Sequence, residues 1–414
     1  MYLKKVFIFT IIFTLLFSST ISVTTLNAVP DKYSLIMKKQ EQCLKSYSEL
    51  LQFFKENSNP NVKYDNDYNV DFPDDYGGIY FDNQCGEVTL CLTNLENQDI
   101  YVKYFDKALL NIKEVKYSFD ELKEAYNYLV KSCYDICISS ISLSETFNQV
   151  NVSVQNDNEK NELLDLLDSH NIDSNIVYFE ENSMPIEREQ LELNNTELNL
   201  LDNDLLYARA GEKISLTTTG STYFATISAN AYDPITHKYG IITAGHLCSK
   251  PNALVYSNVD NQPINLASSA YYEESGTCDA GFIPFYPGYD YVSSTAIRNG
   301  NNTSQIVDKI SIVSPAMCGI DIVKYGTTTN KTYGTIVSLF SEVTYADDTH
   351  LDDVIECNIN SSAGDSGGPM GIDTVNGLCL LGILSGGNGS TTYFIKNSNI
   401  EQNLEVVILS VQMS

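Results

Sequence analysis

Residues 364–369 read Gly364-Asp365-Ser366-Gly367-Gly368-Pro369, and this hexapeptide decides what the second half of the chain is. A serine is a poor nucleophile at neutral pH. It needs a base to take its proton and donors to meet the oxyanion it creates. Glycines on both sides let the backbone turn tightly and let a carbonyl approach. The N–H groups of Gly364 and Ser366 are then free to face developing negative charge. Gly, Ser and Asp also fill ordinary turns, so the stretch needs a companion. Thr243-Ala244-Gly245-His246 supplies one: the histidine follows the apolar strand Gly240-Ile241-Ile242 and is one of four in 414 residues.

Chain order narrows the chemistry. A Gly-x-Ser-x-Gly elbow also occurs in α/β-hydrolases, whose histidine follows the serine. No histidine follows Ser366 here. The orders His-Asp-Ser and Asp-His-Ser remain.

Outward from the motifs, short β-branched and aromatic runs (Tyr223 to Ser228, Tyr239 to Thr243, Thr335 to Leu339, Leu380 to Leu384) alternate with Gly, Ser, Asn and Asp clusters. That pattern predicts an all-β barrel or sandwich. The first half reads as mixed α and β. Apolar residues at helical spacing (Ile36, Leu44, Tyr47, Leu51, Phe54) predict a helix over 34–57. Ile79 to Phe81 and Val88 to Leu92 predict a hairpin, and Ser118 with Glu121 makes a capping box for a second helix. Residues 147–179 predict a β-α-β unit. Residues 180–206 are acidic, asparagine-rich and aperiodic, as in a linker.

Together the two motifs resemble the chymotrypsin-like serine proteases, on the side of the secreted bacterial branch with alpha-lytic protease and the streptogrisins. The likeness covers roughly residues 208–414 and takes in three further stretches. Cys278-Asp279-Ala280-Gly281-Phe282-Ile283 looks like the strand carrying the orienting aspartate. Val323-Lys324-Tyr325-Gly326-Thr327-Thr328-Thr329 followed by Gly334-Thr335-Ile336 resembles the start of a second barrel. Gly382-Ile383-Leu384-Ser385-Gly386-Gly387 resembles the strand that pairs with substrate backbone. The resemblance implies an all-β, double six-stranded barrel after an α+β pro-region, with a catalytic triad of His246, Asp279 and Ser366. Asp260 and Asp290 also lie between the motifs, but both lack the small-then-apolar sequence that a buried strand aspartate requires.

The same resemblance assigns the oxyanion hole to Gly364 and Ser366 and implies support for Asp365 by Lys324, where the branch carries an arginine. It places Asn360 at the base of the primary pocket, with Ser361, Leu384, Ser385, Gly386, Gly387 and Thr391 around it. No acidic or histidine counterpart stands there, so an apolar or aromatic residue is expected before the cut. The cysteines depart from the family pattern: Leu247 follows His246, and the stretch before Gly364 has none. A bridge between Cys248 and Cys278 is an alternative.

Lys4 and Lys5, the apolar run Val6 to Phe17 and the small residue Ala28 predict a signal peptide over 1–28 and a secreted product. The apolar run is short for a spanning helix, so no stable membrane insertion is expected after its removal. The domain reading is therefore a signal peptide (1–28), a pro-region (29–207) and a catalytic domain (208–414). Self-cleavage is expected between Asp202 and Arg209, with Tyr207 a suitable residue before the cut. The pro-region would assist folding, since barrels rich in non-local contacts fold slowly, and inhibit until removed. A net charge of −28 argues against nucleic acid. Polypeptides are the expected substrates, with no metal or other cofactor. The alternatives are an inactive protease-like binding protein and an enzyme that cuts only itself.

Overall fold

The computed structural model describes residues 32–57, 70–133, 136, 138–181, 186–188, 191–194, 206–217, 221–249, 254–259, 262–267, 271–285, 291–299, 302–310, 317–374 and 376–411. The expected signal peptide and the alternatives Asp260 and Asp290 lie outside these residues. Contacts divide the chain into residues 1–38 and 39–414. All packing described below is within 39–414. No helix among the described residues is long and apolar enough to cross a membrane.

The first helix, α1 (Lys32–Asn57), buries Tyr47, Leu50, Leu51 and Phe54, one face at i, i+3, i+4 spacing. Phe54 meets the edges of the Phe72 and Tyr76 rings at 5.7 and 5.4 Å. Strands β1 (Tyr76–Asp82) and β2 (Glu87–Leu92) form the antiparallel hairpin, and β3 (Leu110–Glu114) adds in parallel to β2. Helix α2 (Phe119–Cys133) opens with a reciprocal cap. The Ser118 N–H donates to Glu121 Oε2 at 2.7 Å, and the Glu121 N–H donates to Ser118 Oγ at 3.2 Å. Strand β4 (Ile138–Ser144) then pairs with β5 (Gln149–Val154), which runs parallel to β6 (Val177–Glu181) across helix α3 (Asp157–Ser169).

The remaining strands are β7 (Glu187–Arg188), β8 (Leu191–Asn194), β9 (Leu206–Ala210), β10 (Lys213–Thr217), β11 (Ser221–Thr226), β12 (Ala229–Asp233) and β13 (Lys238–Thr243). After the helical turn α4 (Gly245–Cys248) come β14 (Leu254–Val259), β15 (Gln262–Ala267), β16 (Tyr271–Ser275), β17 (Cys278–Pro284), β18 (Tyr291–Asn299) and β19 (Asn302–Ile310). The last are β20 (Asp321–Gly326), β21 (Asn330–Thr344), β22 (His350–Asn358), β23 (Pro369–Asp373), β24 (Leu378–Gly387) and β25 (Thr391–Lys396), then α5 (Asn397–Leu404) and β26 (Val407–Ile408).

Antiparallel pairings close one ring of six strands, β20-β21-β22-β25-β24-β23. The other strands of the second half do not make a second ring among the described residues. They lie in two five-stranded sheets, β15-β14-β10-β11-β8 and β16-β17-β13-β12-β26, and in β19, β18 and β9 beside β24. Strands β13 and β17 stand between two cores. Ile241 and Ile283 enter one with Ile214, Leu216 and Leu247. Their neighbours Ile242 and Phe282 enter the other with Val323, Leu380 and Ile383. Alternation of side chains along a strand makes one pair of strands serve both cores.

Two features depart from a detached first half joined by a loose linker. Strand β4 pairs with β21 (Ser142 with Ser341, Ser140 with Val343), and Ser338 Oγ donates to the Leu143 carbonyl at 2.8 Å. The β-α-β unit thus extends the sheet of the second half. Within residues 180–206, moreover, β7 and β8 each pair with a strand of that half.

Candidate active site

His246 sits in α4, one turn past the end of β13, and Asp279 is the second residue of β17. Since β13 and β17 are antiparallel neighbours with Thr243 opposite Gly281, the two side chains meet by construction. Asp279 Oδ1 accepts the His246 backbone N–H at 2.8 Å, and Oδ2 lies 2.8 Å from Nδ1. Both residues are buried. Burial alone would raise the Asp279 carboxyl. The charge and hydrogen bond of His246, with Arg188 and the Ser385 hydroxyl, outweigh it and hold the group at about 2. An ionised carboxylate can only accept, so Nδ1 carries a proton, and in the neutral ring Nε2 is the bare nitrogen. That Nε2 is buried and makes no hydrogen bond.

Ser366 reaches the same centre through Ser385, near the end of β24. The Ser385 hydroxyl donates to Asp279 Oδ2 at 2.5 Å and accepts from the Tyr345 hydroxyl at 3.0 Å. Its carbonyl accepts from Ser366 Oγ at 3.3 Å. The serine and aspartate of the expected triad therefore share one intermediary. From sequence, Ser385 is expected in the pocket and on the strand that pairs with substrate backbone, and no contact to Asp279 is assigned to it. Tyr345 carries no motif signal at all.

The turn before Ser366 is fixed from both sides. Gly364 has φ 98°, a conformation L side chains rarely adopt. The peptide plane that carries the Gly364 N–H ends in the Ala363 carbonyl, which accepts from Thr328 Oγ1 at 2.7 Å. The plane that carries the Ser366 N–H ends in the Asp365 carbonyl, which accepts from the Gly368 N–H at 2.8 Å. Two donors are thus held by bonds made behind them.

Asp365 is fully buried and fully paired. Lys324 Nζ lies 2.8 Å from Oδ2, and neither side chain is exposed to solvent. Thr329 Oγ1 donates to Oδ2 at 2.6 Å, and the backbone N–H groups of Thr328 and Thr329 donate to Oδ1 at 2.8 and 3.1 Å. The lysine and aspartate named together from sequence are in contact. Thr328 and Thr329, which complete the cage, lie in the stretch likened to the start of a second barrel, where the sequence assigns them no part in supporting Asp365.

The proposed pocket residues separate into groups. Leu384, Ser385, Gly386 and Gly387 are consecutive and buried on β24, and Ser361 is buried with its hydroxyl 2.8 Å from Thr392 Oγ1. Thr391 is half-buried. Asn360 is exposed, and its carbonyl accepts from Thr332 Oγ1 at 3.0 Å. It is therefore not a buried residue, whereas its neighbour Ser361 is. Cys248 and Cys278 are separate free thiols. Burial raises both, Cys278 to about 12. Away from this centre, Glu342, His350 and Asp352 bring one potential ligand atom each within 4.8 Å of one another, a grouping that the spacing of the histidines does not announce.

No family model matches the chain, and no curated protein is similar enough to match. Solved structures do match about half of it. Protease A of Thermobifida fusca is 20% identical over 50% of this chain and 100% of its own, with a TM-score of 0.39. A chymotrypsin of Cellulomonas bogoriensis is 23% identical over 50% and 100%, with 0.38. A serine protease described as specific for glutamic acid is 19% identical over 49% and 100%, with 0.40. These neighbours are serine proteases, at identities and scores that do not assign this chain to a family.

Proposed function

We propose that this chain is a secreted serine endopeptidase made as a self-processing precursor. The observation that carries the reading is the Asp279–His246 pair with a bare, buried Nε2, tied through Ser385 to Ser366. In this reading Ser366 Oγ attacks the carbonyl carbon of a peptide bond while His246 Nε2 takes its proton. Asp279 stabilises the imidazolium, and the Gly364 and Ser366 N–H groups hold the oxyanion. The intermediate collapses as Nε2 returns its proton to the leaving amine, giving an acyl-enzyme. Water, deprotonated by the same nitrogen, then releases the acid. No described group in this sequence of steps needs a metal or organic cofactor.

The first half fits the role of folding assistant and inhibitor. Its strand β4 completes a sheet edge on β21, and Asn83 Nδ2 bonds the Gly319 carbonyl. A second reading, one cut in the chain's own backbone without later turnover, is favoured by β7, which already lies along β24. Expression of wild type beside Ser366→Ala, followed by casein digestion and intact mass, separates these. Ser366-dependent processing with casein turnover supports the endopeptidase. Processing without turnover supports the second reading, and processing of both proteins alike removes Ser366 from the chemistry.

A further inference from the structure

The segment from Ile186 to Asn194 is paired on both sides of the candidate nucleophile. Upstream, β7 is antiparallel to the end of β24, with Glu187 opposite Gly387 and Arg188 opposite Gly386, and the Ile186 carbonyl accepts the Ala346 N–H at 2.9 Å. Gly386 permits the approach: a Cβ there would stand 2.4 Å from the Glu187 carbonyl oxygen. Downstream, β8 is antiparallel to β11, with Leu191 opposite Phe224 and Asn194 opposite Ser221. Two residues of sequence, Glu189 and Gln190, join the two pairings and lie outside the described residues. The register on β24 advances from Gly387 to Gly386, and its next position is Ser385, whose carbonyl accepts from Ser366 Oγ. A substrate strand laid in this register brings the residue that follows the one opposite Gly386 to that position.

Arg188 is the only basic residue between positions 180 and 206, against eight acidic ones. Its side chain is 10% exposed. Nη2 donates to the Glu274 carbonyl at 2.9 Å, Nη1 lies 3.2 Å from Glu274 Oε2, and Nε lies 3.6 Å from Asp347 Oδ2. The guanidinium stands 5.9 Å from the centre of the Tyr345 ring. Arg188, Glu274 and Asp347 border a cavity of about 610 Å³ that His246 also lines. Two carboxylates and a carbonyl on one planar cation suit arginine far better than a neutral side chain, which would leave the acids facing each other unpaired.

Resting on the endopeptidase reading, we propose that Glu274 and Asp347 form a subsite for an arginine immediately before the residue whose carbonyl is attacked. Residues 186–194 are this chain's own substrate, and the bond cut is Glu189–Gln190. The attack forms an ester between Ser366 Oγ and the Glu189 carbonyl carbon and breaks that carbon's bond to the Gln190 nitrogen. The nitrogen leaves as an amine with the proton carried by His246. This moves the cut from the window 202–209, where β9 begins at Leu206 and pairs with β18. It also puts an acidic residue, not an apolar one, before the bond. A cut within one chain is driven by high effective concentration, so recognition at position 188 can dominate it.

The test uses the full chain and peptides spanning residues 184–194. Wild type is expected to give a product beginning at Gln190. Arg188→Gln should slow its formation by about tenfold or more, the loss of charge-assisted hydrogen bonds. The exchange Arg188→Glu with Glu274→Arg should recover part of the rate. With unaltered processed enzyme, the peptide carrying Gln at position 188 should show kcat/KM lower by about tenfold or more than the natural one. Ser366-dependent processing that begins elsewhere, or equal rates for the two peptides, overturns the subsite and leaves the endopeptidase reading standing. Absence of both Ser366-dependent processing and labelling of Ser366 by a fluorophosphonate overturns that reading and the subsite with it.

Discussion

Ser385 and Asp279 are joined through the oxygen that also meets His246: the Ser385 hydroxyl and Nδ1 both contact Oδ2. The aspartate therefore has two donors on Oδ2 and the His246 N–H on Oδ1, which fixes both its charge and the ring it orients. Asp279→Asn presents an amide in place of an obligate acceptor and lets Nε2 carry the proton. Turnover of a peptide ester is expected to fall about 10³- to 10⁴-fold with KM little changed. Ser385→Ala removes one donor only and is expected to cost about tenfold. A loss in Asp279→Asn no greater than that in Ser385→Ala would contradict the assignment.

Lys324 is the single cation in the cage around Asp365. Lys324→Met leaves a buried carboxylate without its counter-charge and should destabilise the protein by about 3–5 kcal/mol. Lys324→Met with Asp365→Asn removes both charges and should recover much of that loss. Urea unfolding of the three proteins checks both expectations. Stability equal to wild type in the single variant would mean that the threonine and backbone donors suffice.

His350 gives a pH signature. Its hydrogen bonds to Asp352 and then Glu342 raise it to about 9 against the opposing effect of burial. The folded value is above the unfolded one of about 6.5. Its contribution to stability is thus complete below that pH and lost as pH rises through about 9. The melting temperature should decline between those limits, and His350→Gln should flatten the decline. An identical pH profile in the variant would remove His350 as its source.

Gly386 tests the strand contact by shape alone. Gly386→Val puts side-chain atoms where the Glu187 carbonyl and the Tyr345 ring now stand. Self-processing and turnover of long peptides should both drop by more than about tenfold, while small esters are affected less. Equal losses for esters and peptides would point to a damaged fold rather than a blocked strand.

Ser366 and His246 stand out in the sequence as candidate nucleophile and base because each sits in a short, contiguous motif at a turn. Asp279 was legible through the small-then-apolar run that a buried strand aspartate requires, and the Ser118–Glu121 cap through its spacing. Groups brought in from distant strands were not legible. Glu274 arrives on β16, Thr328 in the turn between β20 and β21, and Tyr345 just past β21, and the sequence assigns none of them a role at the site. The linker reading of 180–206 missed β7 and β8 for a related reason. A two- or four-residue strand has too few positions to show alternation, and its pairing is decided by the partner edge.

The most direct measurement is reaction of the purified protein with a fluorophosphonate probe, followed by peptide mapping. One adduct per molecule on Ser366, absent from Ser366→Ala and suppressed in Asp279→Asn, is the result the account predicts. A folded, processed protein that carries no adduct, or carries it on another serine, would contradict it.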